Sequence, residues 1–384
     1  MDIVNLFGLT EEQRMVRASV LDLLEKSLPW PLIREMDEER AFPHAAYDAL
    51  AKAGFMGLFY PEEYGGTGGS HKDFTALVET LGYYYTGIAQ AYMTTVIYAG
   101  MHVVKFGRPE VKAEIVPKII SGEIKLALAM SEPGTGSDVA GIKTRAVRDG
   151  DDYVLNGQKV WITCAHVADY LVVVCKTDIA AERHRGLSIF LVDAKAPGVT
   201  IRPLNMLGRR TTHANEVFLE NVRVSKRYML GEENAAWKNL MHCLGVERLC
   251  LAAISAGHCA KITEYAADYA KQRIQFGQPI SDFQVIQHKL VDMAIMSESA
   301  RQSVWRVAEL LDGGQNAVRE LSMAKIICTD NNFRCADIGL QVMGGAGYSA
   351  EYDMAMFFRD SRVGPIGGGS NEIQRNVIAK QMGL

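Results

Sequence analysis

A glycine-rich loop at residues 131–141 (SEPGTGSDVAG) is the first segment whose residue types suit ligand binding. It follows an apolar run that predicts a β-strand, and it combines three glycines with serine and threonine hydroxyls. Backbone N–H groups and hydroxyls of such a loop can approach a flat or phosphorylated ligand closely, although a tight β-turn uses the same residues. Gly134, Gly136 and Val139 lack the third glycine of the dinucleotide fingerprint, and no βαβ unit follows. NAD bound by a Rossmann fold is therefore disfavoured.

The next segment of interest, residues 156–163 (NGQKVWIT), carries an aromatic side chain suited to the wall of a ligand site. Asn156 and Gly157 predict a hairpin turn, after which a strand would place Trp161 and Thr163 on one face. Taken alone, Trp161 suits a core position as well as a cofactor wall. Its combination with the glycine-rich loop favours the cofactor wall.

A carboxylate suited to proton abstraction lies in residues 245–253 (GVERLCLAA), on a predicted helix that is otherwise mostly apolar. On an exposed helix, Glu247 would form a solvated ion pair with Arg248 or another neighbour, and that interpretation stays open. The apolar surroundings argue for burial, which raises the pKa of a carboxylate toward neutrality and suits it to removing a weakly acidic proton. Arg248 would oppose that rise.

Three stretches of different periodicity must position these groups. Residues 10–121 repeat apolar side chains at helical spacing, interrupted by a loop at residues 61–69 (PEEYGGTGG). The period then changes to two, with eight short runs at residues 125–130, 144–148, 152–155, 158–163, 170–176, 187–192, 199–203 and 215–224. Helical spacing returns at residues 236–272, 283–311, 317–343 and 372–382.

This order predicts an α+β, multi-domain fold. We expect an N-terminal helical domain over residues 1–122, a middle β-barrel or sandwich domain over residues 123–233, and a C-terminal four-helix bundle over residues 234–384. The long helices of the last domain are typical of a bundle.

Composition excludes several classes of protein. The chain has 384 residues, 48% hydrophobic and 22% charged, which is ordinary for a globular protein, and a formal net charge of −4 gives no overall reason to bind nucleic acid or an anionic membrane. Seven cysteines without metal spacing indicate a reducing compartment, and we expect a cytoplasmic protein. Charges break the apolar runs well short of the ~20 residues of a membrane helix, and no histidine cluster predicts a metal site.

Six stretches, spread over essentially the whole chain and in the same order, resemble the acyl-CoA dehydrogenase family. They are PEEYGG (61–66), SEPGTGSDVAGIKTRA (131–146), NGQKVWIT (156–163), RIQFGQPISDFQ (273–284), QVMGGAGY (341–348) and FRD through NEIQR (358–375). The resemblance implies FAD as cofactor, an acyl-CoA substrate, an electron-transferring flavoprotein as partner, and usually a homotetramer.

The family pattern also implies which residues meet FAD. Those expected to line it in the same chain are Leu128, Met130, Ser131, Gly136, Ser137, Trp161, Thr163, Ser370 and Glu372. Others match family residues that reach the FAD of a neighbouring subunit (Arg273, Phe276, Gln284) or its adenosine and diphosphate (Gln341, Gly345). An FAD site completed by a second chain implies that a monomer holds the cofactor poorly.

The family's usual base is absent from its usual place. Most relatives carry a glutamate in a Tyr-Glu-Gly-Thr loop, whereas this chain has Gly368 at that position. Glu247 lies where the isovaleryl-type and long-chain-type branches carry their base, and those branches also have glycine in the loop. The resemblance therefore implies that Glu247 removes the α-proton of a thioester while the hydride from Cβ passes to flavin N5. The backbone N–H of Gly368 would polarise the thioester carbonyl, and Arg248 is expected at the substrate.

Two alternatives to this function stay open. A reductase of the crotonobetainyl-CoA type would run the hydride step in reverse, and a non-redox flavoprotein would keep the fold without turnover. A basic cluster at residues 209–213 (RRTTH) is either a solvated turn or a contact for CoA phosphates or an acidic substrate. The length, branching and polarity of the acyl group, the direction of the reaction and the choice between dimer and tetramer are not predicted.

Overall fold

A computed structural model describes Leu6, residues 8–182 and residues 184–384. The first part is helical, as predicted, and the loop at residues 61–69 contains only a single short turn of 3₁₀-helix. Thr10 caps the first helix through a reciprocal pair of hydrogen bonds with Gln13. The helices are α1 (Glu11–Ser27), α2 (Trp30–Glu39), α3 (His44–Lys52), α4 (His71–Tyr84), α5 (Thr86–Tyr92), a π-helical segment (Met93–Ala99), α6 (Gly100–Phe106) and α7 (Pro109–Ile120).

Seven strands form the middle part and belong to one hydrogen-bonded sheet, with the order β1-β4-β2-β3-β7-β6 and β5 paired to β4. The predicted β domain is therefore confirmed. The pairing is mixed, because β4 runs parallel to β1 and antiparallel to β5. The strands are β1 (Leu126–Ala129), β2 (Arg145–Asp149), β3 (Asp152–Thr163), β4 (Tyr170–Lys176), β5 (Leu187–Asp193), β6 (Val199–Pro203) and β7 (Ala214–Ser225).

The predicted hairpin turn at Asn156 and Gly157 is wrong. Both residues lie inside the continuous strand β3, where the pairing with β7 shifts register between Leu155 and Gly157. A Cβ atom at Gly157 would lie 2.4 Å from Thr144 Oγ1, so this glycine allows close packing of the backbone rather than a turn. The hairpin that joins β2 and β3 turns instead just before Asp152.

The last part of the chain is again helical, as predicted. Its helices are α8 (Ala236–Gln272), α9 (Gln284–Asp312), α10 (Val318–Met343), α11 (Gly345–Tyr348), α12 (Asp353–Ser361) and α13 (Asn371–Gln381), with a small hairpin of β8 (Ile274–Gln275) and β9 (Gln278–Pro279) after α8. Among the described helices, α8 alone is long and apolar enough to cross a membrane, and 67% of its most apolar window is buried inside the protein. That burial is typical of a core helix.

Helix α8 is the central element that positions the candidate site. It crosses α4 at two glycines, where an added Cβ would lie 2.4 Å from Ile254 O at Gly82 and 1.9 Å from Glu79 O at Gly257. The two backbones can therefore meet only because both positions lack a side chain. This contact fixes the position of α8 along its own axis. It thereby also fixes the position of Glu247, which lies about three turns before Gly257.

Candidate active site

Glu247 projects from α8 into the protein interior and is 6% exposed. Burial raises the pKa of its carboxyl group to about 7, because water no longer solvates the charge. Arg248, a hydrogen bond with Tyr98 and the charge of Lys325 oppose that rise without cancelling it. The interpretation of Glu247 as a solvated helix charge is therefore wrong, and its carboxyl group is suited to exchanging protons near neutral pH.

Gly368 lies directly opposite this carboxyl group. A Cβ atom at Gly368 would be 3.5 Å from Glu247 Oε1 and only 2.2 Å from Leu251 Cδ1, and the backbone is left-handed with φ of 63°. Glycine is the residue that adopts this conformation without strain, and a larger residue would require the Leu251 side chain or the loop to move. A side chain at position 368 and the carboxyl group of Glu247 would therefore border the same small space.

Lys325 on α10 holds the loop that contains Gly368. Its buried ammonium donates to Gly364 O at 2.9 Å, Gly369 O at 3.1 Å and Asn371 Oδ1 at 2.8 Å. Burial lowers the pKa of Lys325 to about 8. Sequence reasoning missed this residue, although a lysine within an otherwise apolar face of a long helix was a usable signal.

The glycine-rich loop is anchored at both ends by one buried ion pair. Glu132 accepts from Lys159 Nζ at 2.9 Å and from the backbone N–H groups of Lys143 and Thr144 at 2.7 and 2.9 Å. Lys159 also donates to Met130 O at 3.0 Å. Strand β3 and the loop are therefore locked together two residues before Trp161. Sequence reasoning did not find this pair.

Trp161 stands out from β3 with its side chain 57% exposed, at a bulge where its φ is 63°. An exposed indole beside the partly buried side chains of Leu128 and Met130 gives an apolar wall that fits a flat ring. Ser131 and Thr163 are partly buried at the same end of the sheet, and Gly136 and Ser137 are exposed on the loop. A Cβ at Gly136 would meet nothing within 4 Å, which leaves open space for a ligand.

The residues expected at a neighbouring subunit's cofactor are exposed or lie at the far end of α8 from Glu247. Arg273 follows α8, which at 1.5 Å per residue places it roughly 39 Å along the axis from Glu247. Phe276 is 94% exposed, and Gln284, Gln341 and Gly345 are exposed as well. Arg273 therefore cannot reach the Glu247 site of its own chain.

Residues after Gly368 and beside Glu247 complete the predicted set. Ser370 caps α13 by accepting from Ile373 N at 3.4 Å, and Glu372 is exposed in its first turn. Arg248 is partly buried, and its Nε is shielded from solvent without a hydrogen-bond partner in the described structure. Both Ser370 and Arg248 are thus placed close to the loop and to the candidate base.

The cluster at residues 209–213 is no solvated turn, and that alternative is wrong. Thr211 and Thr212 are fully buried, and His213 Nε2 lies 2.8 Å from Arg40 O. Arg209 lies against α5, where its guanidinium donates to Gln90 Oε1.

Family models match all three parts of the chain. The N-terminal, middle and C-terminal domains of acyl-CoA dehydrogenase match residues 10–123, 127–222 and 234–383. The chain belongs to the acyl-CoA dehydrogenase family. Acyl-CoA dehydrogenases are FAD-dependent oxidoreductases that act on CH–CH bonds, which confirms the expected cofactor and enzyme class.

Individual relatives span the whole chain. The caffeyl-CoA reductase-Etf complex subunit CarC of Acetobacterium woodii is 37% identical over 96% of this chain and 98% of its own length. The mitochondrial isovaleryl-CoA dehydrogenase of Pongo abelii is 34% identical over 99% and 90% of the two chains. The crystal structure of an acyl-CoA dehydrogenase from Geobacillus kaustophilus superimposes with a TM-score of 0.93 at 35% identity, covering 98% of this chain and 100% of that one.

Proposed function

We propose that this acyl-CoA dehydrogenase removes the α-proton and a β-hydride from an acyl-CoA thioester, with Glu247 as the base. The observation that carries the proposal is the buried Glu247 carboxyl group facing Gly368, with a pKa of about 7. A thioester α-proton is weakly acidic, so its removal requires a base of raised pKa and a polarised carbonyl.

Each residue around Glu247 then has a defined task. Gly368 contributes its backbone N–H to the thioester oxygen and leaves the space that a side chain would fill. Lys325 keeps that N–H in place through its three bonds to the loop. Tyr98 and Arg248 hold the pKa of Glu247 from rising further, so that a fraction of the carboxyl groups is ionised at neutral pH.

FAD, when bound, would accept the hydride at its flavin ring. Trp161, Leu128 and Met130 would cover the ring with apolar surface, and the Ser131 and Thr163 hydroxyls would reach its polar edge. The loop around Gly136 would approach the phosphates with backbone N–H groups. The Glu132–Lys159 pair orients this loop and does not itself touch the substrate.

An electron-transferring flavoprotein is the proposed electron partner. CarC is named as a subunit of a complex with Etf, and its identity to this chain extends over nearly the full length of both. Completion of each FAD site by Arg273, Phe276 and Gln284 of a second subunit further requires an oligomer, for which we propose a homotetramer in the cytoplasm.

The reverse reaction, reduction of an enoyl-CoA, is the second candidate. CarC is named as a reductase. A carboxyl group with a pKa of about 7 is protonated and ionised in comparable amounts at neutral pH, so Glu247 could also deliver a proton to Cα.

Anaerobic titration of the FAD-loaded protein with acyl-CoA thioesters tests the proposal. We expect the flavin absorbance to bleach and to recover when electron-transferring flavoprotein is added. Reoxidation of the reduced protein by enoyl-CoA, without bleaching by any acyl-CoA, would assign the reductase direction. A protein that neither bleaches nor reoxidises would contradict both.

A further inference from the structure

A cleft of about 470 Å³ lies on the middle domain, between the end of the glycine-rich loop and the residues that follow β4. Three cationic side chains line it, those of Lys143, Arg145 and Lys176. Among the described residues, Asp138 is the one carboxylate on its wall, so the cleft is positively charged overall. None of its lining residues belongs to the group around Glu247, and the proposed function leaves these cations without a task.

Strand pairing places two of the cations side by side. β4 ends at Lys176 directly opposite Arg145, the first residue of β2, and the two strands pair at this position alone. Neighbouring strands lie about 4.8 Å apart, so the side chains of paired residues are close together and share one face of the sheet. Like charges in such a pair destabilise the sheet unless an anion compensates them.

The described structure provides no counter-ion for these cations. The side chains of Lys143 and Arg145 form no hydrogen bond or ion pair with a described residue. Lys176 donates to a neutral group, Ala181 O, at 3.0 Å. Arg223, exposed on the same sheet, is by contrast paired with two carboxylates. The cleft is therefore a place where an anion from outside the chain would find partners.

The backbone that carries Lys143 and Arg145 is held by hydrogen bonds on both sides. Glu132 accepts from the N–H groups of Lys143 and Thr144 at 2.7 and 2.9 Å, and Thr144 O accepts from Lys176 N at 2.7 Å. The Thr144 side chain is itself buried. Because the backbone is already fixed, binding of an anion requires the ordering of side chains only.

Apolar side chains lie beside the cations. Ile142 is buried in the wall of the cleft, and Ile179 is 57% exposed on it. Guanidinium and ammonium groups recognise phosphate, while an aliphatic surface covers a flat ring. A ligand that satisfies both parts of the wall carries phosphate groups next to an apolar ring, and adenosine phosphates have this combination.

We propose that the cleft binds the adenosine end of CoA, with its 3′-phosphate held between Arg145 and Lys176. The inference rests on the proposed function, because it takes the substrate to be a CoA thioester. FAD also contains adenosine and a diphosphate, but of the two molecules only CoA has the 3′-phosphate. A phosphate monoester carries a charge of about −1.5 to −2 at pH 7, which offsets the repulsion between the paired cations.

This site would select the carrier of the acyl group rather than the acyl group itself. Thioesters of free CoA would be preferred over thioesters that lack the 3′-phosphate, such as those on the phosphopantetheine arm of a carrier protein. Lys143, on the same wall, would contribute a further positive charge to the phosphates.

Calorimetry on the FAD-loaded wild-type protein tests the site with CoA and 3′-dephospho-CoA, which carry no acyl group and are not turned over. We expect CoA to bind about 10- to 100-fold more tightly, the range for hydrogen bonds to charged groups. The double variant Arg145→Met/Lys176→Met should bind the two ligands within about two-fold of each other. The preference of the wild-type protein should also weaken as salt is added.

Arg148→Met is the control on the same strand. Arg148 is exposed on β2, does not line the cleft, and donates to Gly150 O at 3.1 Å. This variant should keep the full preference for CoA. The FAD content, measured from the flavin absorbance, should be the same in the wild-type protein and in all variants, because the cleft is assigned to CoA.

Equal affinity of the wild-type protein for the two ligands, absence of CoA binding, or a preference that survives the double variant would each overturn the CoA site. Loss of FAD by the double variant would assign the cleft to the FAD phosphates and would likewise overturn it. The proposed function depends separately on flavin bleaching by acyl-CoA. A protein that bleaches without discriminating the two ligands keeps the dehydrogenase and loses the cleft, whereas one that discriminates without bleaching or reoxidation keeps the cleft and loses the dehydrogenase.

Discussion

Glu132 in the middle domain and Glu247 in the C-terminal domain are equally buried, each 6% exposed. Burial alone would raise the pKa of both. At Glu132 the charge of Lys159 and hydrogen bonds from Thr144 and Lys143 outweigh burial and lower the pKa. At Glu247 no such set of donors is present in the described structure, and the pKa rises to about 7.

The difference separates a structural carboxylate from a reactive one. Glu132 is ionised, uses its oxygens on fixed donors and keeps the glycine-rich loop on β3. Glu247 faces Gly368, where a Cβ is missing, and so retains space and a proton affinity for a substrate. Partners rather than burial decide which of two buried carboxylates can do chemistry.

Glu247→Gln should produce the largest effect. Because the amide cannot accept the α-proton, the rate of flavin bleaching by acyl-CoA should fall at least about 1,000-fold while FAD stays bound. The pKa of Glu247 rises from 4.5 in the unfolded chain to about 7 in the folded protein, so protonation of Glu247 favours the folded state. This contribution to the free energy of unfolding is complete below pH 4.5 and is lost as the pH rises through about 7. The variant should therefore be no less stable than wild type above neutral pH, as thermal unfolding would show.

Asp268→Asn is the matched control on the same helix, since Asp268 is exposed and pairs with Lys271 at 3.3 Å. It should bleach at the wild-type rate. Substantial bleaching by Glu247→Gln would remove Glu247 from the role of base and, with it, the distinction from Glu132.

Lys159→Met should show the opposite behaviour, a loss of stability rather than of proton transfer. It leaves the Glu132 carboxylate buried without its cation, which typically costs about 3–5 kcal/mol. We expect a lower urea midpoint and faster loss of FAD, with Glu132→Gln in the same chain restoring part of the stability. A single variant as stable as wild type would mean that the pair is not needed to hold the loop.

Local patterns were sufficient to predict much of the fold. The predicted bounds at residues 170–176, 199–203 and 236–272 coincide with β4, β6 and α8. Those segments have uniform periodicity and clear ends. The turn at Asn156 and Gly157 was predicted wrongly, because a dipeptide signal cannot show that Thr144 packs against the glycine.

The candidate site was predictable only where one residue carried the signal. Glu247 stands out in an apolar helix, and its carboxyl group is buried as that helix suggested. Lys325 and Tyr98 act through partners 44 and 149 positions away in the sequence, and periodicity contains no such information.

Gly368→Ala tests the space opposite Glu247. The new Cβ would lie 2.2 Å from Leu251 Cδ1 in a left-handed backbone that disfavours alanine, so Leu251 or the loop must shift. A shifted loop would move the N–H that we propose polarises the thioester. We expect bleaching to slow by about 10- to 100-fold, comparable to the loss of one oxyanion donor or somewhat less. Adding Leu251→Ala should recover part of the rate by removing the contact.

Gly367→Ala is the control for this loop, because its Cβ would come no closer than 3.6 Å to Val363 O. It should keep most of the activity. If Gly368→Ala and Gly367→Ala bleach at the same rate, the free space beside Glu247 is not what makes this carboxylate reactive.

Tyr98→Phe should give the smallest effect and the sharpest test of the comparison. The Tyr98 hydroxyl is, after the Arg248 charge, the next influence that lowers the pKa of Glu247. Its removal should raise that pKa above about 7, so that bleaching at neutral pH slows a few-fold and recovers at higher pH, where Glu247 is ionised again. The measurement is the pH dependence of the anaerobic reduction rate, with Tyr92→Phe as control because its hydroxyl donates to Phe55 O, away from Glu247. If the apparent pKa stays constant or falls in Tyr98→Phe, the pKa of Glu247 is set by contacts other than the Tyr98 hydrogen bond.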